Sequence, residues 1–244
     1  MAKIFITGSA DGLGQLSAQW LLTQGHDVVL HARNVQRSRE ALAKTPGASK
    51  ALVADLTDMQ ETKQLADDVN SLGPFDAIIH NAGVYQRPGN EIFAVNTLAP
   101  YILTCLIQRP KRLIYLSSQM HMYGQGNLER ITKNNNGVSY SDSKLHVLML
   151  SIEVARRWPG VFANTVDPGW VPTKMGGRGA PDDLQKGYQT QAWLAASNDT
   201  EVQVSGKYFF HQKQRRYNSA ADDLSLREKL LERCAEITGI DFPA

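Results

Sequence analysis

The feature that most constrains this chain is its rhythm. Short β-rich runs at 3–7, 27–31, 50–54, 75–80, 111–117, 160–166 and 207–210 alternate with helix-patterned segments at 13–24, 35–44, 58–72, 94–107, 139–157 and 182–197. Parallel strands cannot be joined by tight turns, and crossover helices are what this alternation supplies. The pattern therefore predicts an α/β chain with a doubly wound, seven-stranded parallel sheet between two helical layers. Gly25 follows the first helix and suits its C′ position, while Pro159-Gly160 stops the long helix before the sixth strand.

The chain has 244 residues, 42% of them hydrophobic, enough for one full core. No repeat or linker divides it, so a single domain over 1–244 is expected. The segment 219–244 is read as a helical extension, with a charged amphipathic helix at 222–236 packed on the body. Two stretches break the rhythm: the polar 119–138, which contains Asn134-Asn135-Asn136-Gly137, and the Gly- and Pro-rich 169–181. Both follow strands, and long loops in compact domains are often functional.

Composition removes several classes. A net charge of +2 provides no basic face for nucleic acid, and the one basic cluster, Lys213-Gln214-Arg215-Arg216, reads as a solvated loop. Cys105 and Cys234 have no metal-ligand spacing and form no disulfide framework, so no metal is expected. The apolar start Ile4-Phe5-Ile6 is too short for a signal-peptide core, and no window approaches the roughly 20 apolar residues of a membrane helix. A cytoplasmic protein is expected.

The first strand runs into Thr7-Gly8-Ser9-Ala10-Asp11-Gly12-Leu13-Gly14, which opens a helix. Glycines there allow backbone to approach a pyrophosphate, whose charge the helix N-terminus favours. Tight-turn packing is the competing reading of a Gly-rich turn alone. Its place after the first strand favours the nucleotide and makes the sheet Rossmann-type. The second strand ends in Ala32-Arg33-Asn34, where NAD-selective sites usually carry a carboxylate. A guanidinium at Arg33 suits a 2′-phosphate instead, with Arg37 a weaker second candidate, so NADP(H) is expected over NAD(H).

Tyr140 and Lys144 stand at i and i+4 at the start of the long helix, so the ammonium can reach towards the phenol and favour its ionised form. Such a tyrosine is usable as a general acid/base. Ser117-Ser118 ends the fifth strand, where a hydroxyl can donate to a carbonyl oxygen; no Gly-x-Ser-x-Gly elbow marks it as a nucleophile. Asn81-Ala82-Gly83 follows the fourth strand with small residues. Asn96 lies in an apolar helical run, where a buried amide must find partners.

Taken in order, Thr7–Gly14, Asp55, Asn81-Ala82-Gly83, Asn96, Ser118, Tyr140/Lys144 and Asp167-Pro168-Gly169 resemble the short-chain dehydrogenase/reductase family over about residues 1–210. The resemblance implies that Tyr140 exchanges a proton with the substrate oxygen and that Ser118, rather than Ser117, hydrogen-bonds it. It implies that Lys144 lowers the Tyr140 pKa and binds the nicotinamide ribose, and that Asn96 holds a water linking Lys144 to solvent. For the cofactor it implies contacts from Gly8, Ser9, Asp11, Gly12, Leu13 and Gly14, from Arg33 and Asn34, from Asp55 with Leu56 at the adenine, and from Asn81, Ala82 and Gly83. Pro168, Gly169 and Val171 would line the nicotinamide, with Thr173 near its carboxamide or the pyrophosphate. The gap from Ser118 to Tyr140 is longer than in many members and is similar to the retinol-dehydrogenase-like branch. The stretch from Asn96 to Ser118 is short where members commonly make subunit contacts, leaving homodimer and monomer both open.

Tyr85, Gln119, His121, Tyr123, Trp170 and Met175 flank the catalytic positions on strand-end loops and are the expected substrate-facing residues. Their mixture suits a small, uncharged aldehyde, ketone or alcohol. Two other functions stay open: a non-catalytic dinucleotide-binding regulator, against which the intact Ser118/Tyr140/Lys144 set argues, and a redox-neutral epimerase or dehydratase, for which the region after the last strand is short.

Overall fold

The computed structural model describes residues 1–126, 128–131 and 137–244; the Asn134-Asn135-Asn136 run lies outside the described residues. The strands are β1 (Lys3–Ile6), β2 (Asp27–Ala32), β3 (Lys50–Val53), β4 (Ala77–His80), β5 (Arg112–Leu116), β6 (Phe162–Asp167), β7 (Tyr208–Phe210) and β8 (Lys213–Gln214). They form one sheet in the order β3-β2-β1-β4-β5-β6-β7-β8. All neighbours pair parallel except β7 and β8, which pair antiparallel. Strand order reverses between β1 and β4, and the crevice beyond their carboxyl ends is where ligands bind in such sheets.

The pleat sorts side chains between the two helical layers. Phe5, Ile78, Leu113 and Tyr115 pack with Leu65, Ile102, Leu145 and Leu230, while Ile4, Ile6, Ile79 and Ile114 pack with Ala18, Leu21, Ala41 and Ala192. Helices α1 (Gly12–Thr23), α2 (Val35–Lys44) and α7 (Leu184–Ala196) thus cover one face. The opposite face is covered by α3 (Met59–Ser71), α5 (Ala99–Leu106), α6 (Tyr140–Arg157) and α8 (Leu224–Thr238), with the short α4 (Gly89–Phe93) leading into α5. The chain end docks on this second face: Tyr101 donates its hydroxyl to Ile240 O at 2.8 Å, and Phe242 stacks on Trp158 at 5.3 Å.

Two elements differ from the sequence pattern. The helix expected at 94–107 begins at Gly89 and opens into a π turn at Ala94–Leu98 before α5. Pro100, in the first turn of α5, has no N–H for the carbonyl four residues back, so the regular ladder cannot run through. Lys213 and Gln214, expected in a solvated loop, form an edge strand by pairing with Phe210 and Phe209. The two-residue turn His211-Gln212 takes φ of 48° and 61°, the left-handed geometry that a tight hairpin needs.

Candidate active site

The Gly-rich turn is knit to the end of β4. Asn81 Nδ2 donates to Thr7 O at 2.9 Å and Gly8 O at 3.1 Å, and Ala82 N donates to Thr7 Oγ1 at 3.0 Å. A Cβ on Gly14 would lie 2.4 Å from Asn81 Nδ2, and one on Gly8 would lie 2.8 Å from Ala82 Cα, so both approaches require glycine. Gly12 takes φ +57° with open space before it, its nearest outside neighbour being the Thr173 methyl at 4.0 Å. The Asp11 side chain makes no cap bond to the first turn of α1, which contains no acidic residue. That turn presents backbone N–H groups and a positive helix end to a crevice at the sheet's reversal point, which fits a pyrophosphate.

Ser9 is wholly buried, and its hydroxyl binds within the turn: it donates to Ile6 O and accepts from His31 N, each at 2.9 Å. Any contact from Ser9 to a cofactor must come from its backbone. Beside it, buried His31 accepts Gly8 N–H on Nδ1 at 2.9 Å and donates from Nε2 to Ala54 O at 3.0 Å. This histidine joins three strand ends. Sequence reasoning missed it, although a polar residue inside an apolar strand is a visible signal.

Arg33 and Asn34 are exposed after β2, and the Asn34 side chain caps α2 by accepting Arg37 N at 2.9 Å. Arg37 bends back to Asp11 at 2.6 Å, and Lys174 reaches the same carboxylate oxygen at 2.9 Å. Burial works against the charge on Asp11, but hydrogen bonds from Lys174 and Arg37 outweigh it and hold the carboxyl below its usual range. Asp55 accepts from Thr57 N and Oγ1 beside Arg33, whereas the Leu56 side chain belongs to the core.

At the chemical end, the capping box of Ser139 and Asp142 starts α6 at Tyr140 and aims its first turn at the carboxyl end of β5. The Ser118 hydroxyl lies near enough to the Tyr140 phenol to oppose the rise in its pKa. Ser117 points the other way, its buried hydroxyl donating to Lys144 O at 2.8 Å. Lys144, 4% exposed, donates from Nζ to Leu116 O at 2.9 Å and lies 5.3 Å from the Tyr140 ring centroid. Asn96, in the π turn, accepts Val84 N–H at 2.8 Å and donates to Val84 O and Ser143 Oγ, each at 3.0 Å. A Cβ on Gly83 would sit 3.4 Å from both Asn96 Oδ1 and Lys144 Nζ, so a small residue keeps the space over the lysine clear.

One expectation is corrected. Tyr140 is not lowered: burial pushes its phenol up to about 12, against the nearby Ser118 hydroxyl, with Asp167 and Tyr85 adding to the rise. Lys144 does not offset this, because its ammonium is held on Leu116 O and burial lowers its own pKa to about 8, opposed by Asp167.

The loops that follow β4, β5 and β6 carry exposed apolar side chains. Tyr85 meets the Tyr140 ring edge-on at 4.8 Å, and Tyr123, Trp170 and Met175 are exposed at 75%, 61% and 49%. Gln119 is exposed as well, and so are Met120 and Met122, which sequence reasoning had not singled out. Pro168, Gly169 and Thr173 are half-buried on the loop after β6, and Val171 is buried. His121 departs from expectation: at 1% exposure it faces inward and cannot touch a substrate.

Residues 2–108 match the family model described as short chain dehydrogenase. The chain is 41% identical to the short-chain dehydrogenase chyC of Penicillium rubens over the whole of both proteins. It is 29% identical to mouse retinol dehydrogenase 14, over 97% of this chain and 86% of that one. Among solved structures, a protein of Mycobacterium paratuberculosis superposes with TM-score 0.83 at 22% identity, over 100% of this chain and 96% of that one. A Shigella flexneri short chain dehydrogenase complexed with NADP superposes with TM-score 0.68 at 21% identity, over 87% and 97%.

Proposed function

The chain belongs to the short-chain dehydrogenase family, and on that premise we propose that it is an NADP(H)-dependent oxidoreductase acting on a carbonyl or alcohol, with Tyr140 as the general acid/base. The observation that carries this reading is the convergence of the Tyr140 and Ser118 hydroxyls in front of a buried Lys144. NADP(H), when bound, supplies or accepts the hydride. The turn Gly8–Gly14, Arg33 with Asn34, Asp55 with the Leu56 backbone, Asn81–Gly83, Lys144 and the stretch Pro168–Thr173 are the residues that would hold it.

Each side chain then has a chemical role. With its pKa near 12, Tyr140 is a neutral phenol at neutral pH and can donate a proton to the oxygen of a carbonyl as it becomes an alkoxide. Ser118 donates a hydrogen bond to that same oxygen, which stabilises charge as it develops. Lys144 places a cation behind the phenol, and Asn96 holds the Val84 backbone beside it. The uncharged side chains of Tyr85, Tyr123, Trp170, Met120, Met122 and Met175 favour an uncharged, moderately apolar substrate over an anionic keto acid.

Arg33 supports the 2′-phosphate assignment, since no carboxylate follows β2 at that point. The test is thermal-shift titration with NADPH and NADH side by side, on the wild type and on Arg33→Ala. Larger stabilisation by NADPH, narrowed by about tenfold in affinity ratio in the variant, is expected. Equal response to both dinucleotides, or no effect of the substitution, would overturn the preference.

A further inference from the structure

His121 is buried three residues after Ser118, and its backbone N and Nδ1 both donate to Ser118 O, at 3.0 and 2.7 Å. A carbonyl can only accept, so Nδ1 carries the ring proton and Nε2 is left as an acceptor. Nε2 takes the backbone N–H of Asn218 at 3.2 Å. Both ring nitrogens are thus satisfied in one tautomer, and the imidazole joins the catalytic loop to the C-terminal segment.

Asn218 adds a second grip. Its Nδ2 lies within hydrogen-bond distance of three carbonyls on that loop: His121 O at 3.3 Å, Met122 O at 3.4 Å and Gly124 O at 3.2 Å. Its Oδ1 accepts Ala220 N–H at 3.0 Å and so starts the helical turn that leads to α8. Gly126 lies against α8: a Cβ there would sit 2.3 Å from Leu226 Cδ2. The His121 ring packs on Tyr208 at 4.7 Å, and Tyr208 donates to Asp167 Oδ2 at 3.0 Å, just ahead of Pro168 and Gly169.

We propose that His121 and Asn218 are a positioning pair through which the C-terminal segment fixes Ser118, and the exposed residues Met120, Met122 and Tyr123, against Tyr140. This rests on the proposed function, in which Ser118 binds the substrate oxygen. Neither member touches the reacting atoms. Both act through the Ser118 carbonyl and the turn Gln119–Tyr123, whose N-cap is Ser118 itself, with its Oγ accepting Met120 N–H at 3.3 Å.

Two variants separate positioning from folding. Asn218→Asp keeps the cap on Ala220 N but turns an acceptor towards three carbonyls, whereas His121→Asn keeps an N–H donor near the Nδ1 position. With NADPH and para-nitrobenzaldehyde, Asn218→Asp is expected to lower kcat by about 10- to 100-fold with NADPH affinity unchanged, and His121→Asn to retain more kcat than His121→Ala. Hydrogen exchange at the amides of 120–124 is expected to quicken in Asn218→Asp while α6 stays protected. Unchanged kcat and exchange, or a loss of kcat matched by loss of NADPH affinity, would overturn the pairing. A wild type that does not reduce the probe, or a Tyr140→Phe variant as active as wild type, counts against the proposed function instead. The exchange result then decides the pairing on its own.

Discussion

His31 Nδ1 accepts the backbone N–H of Gly8 at 2.9 Å, so the second strand holds the first turn of the nucleotide crevice in place. The same ring donates to Ala54 O, one residue before Asp55. Replacing it by His31→Leu leaves a donor and an acceptor unpaired beside a buried apolar side chain. The variant is expected to lose about 2–4 kcal/mol of stability, read by chemical denaturation. NADPH affinity is expected to fall with it, because the turn loses its support.

Acid should destabilise the fold from the mildly acidic range downward through its buried histidines. Burial lowers His31 and His146 to about 4 and His80 to about 3, and each therefore folds as the neutral ring. Between these values and the unfolded value near 6.5 the unfolded chain binds more protons, so stability is fully present above about pH 6.5 and is lost as pH falls towards 4. His31 alone accounts for a loss on the order of 3 kcal/mol. Denaturation midpoints measured from neutral to mildly acidic pH test this, and a flat profile would contradict it.

Gly14→Ala introduces a Cβ 2.4 Å from Asn81 Nδ2 and 2.8 Å from Gly8 O. Backbone cannot yield as a flexible side chain can. The variant should lose about 1–3 kcal/mol by overpacking and bind NADPH more weakly, as isothermal titration would show.

Glu153 is fully buried on α6, where Arg227 meets Oε2 at 3.0 Å, Arg157 meets Oε1 at 2.7 Å, and Arg156 shares that oxygen. Burial opposes its charge, yet the three arginines hold its pKa at about 2. Glu153→Gln strands the buried Arg227 guanidinium and should cost about 3–5 kcal/mol in denaturation. Dinucleotide selectivity, set at the opposite helical layer, should not change.

The parallel sheet and the ends of most helices were legible because turn residues and apolar runs mark them. What the pattern could not show had local causes. The run from Val95 to Thr104 is buried throughout, so no apolar stripe marks where the π turn inserts its residue, and Asn96 was found but its setting was not. A two-residue strand such as β8 is too short to carry alternation. His121 was expected to face substrate because it follows Ser118, but the helical turn that Ser118 caps rotates it into the interior. The i, i+4 spacing of Tyr140 and Lys144 promised a lowered phenol, and a single backbone carbonyl, Leu116 O, draws the ammonium aside. That bond is invisible in sequence.

The Tyr140 phenol also sets a pH direction. Raised to about 12, it is protonated through the neutral range, so carbonyl reduction should proceed without a base-side requirement there. Alcohol oxidation needs the phenolate and should gain in kcat/KM as pH rises from about 7 to about 10. Rate–pH profiles in both directions check the sign.

The most direct measurement is oxidation of NADPH by the wild type and by Tyr140→Phe, with para-nitrobenzaldehyde as acceptor and NADPH affinity measured alongside. The expected result is turnover by the wild type and a loss of about 10²- to 10⁴-fold in the variant, with cofactor affinity unchanged. Equal rates in the two proteins would contradict the role of Tyr140 and with it the proposed chemistry.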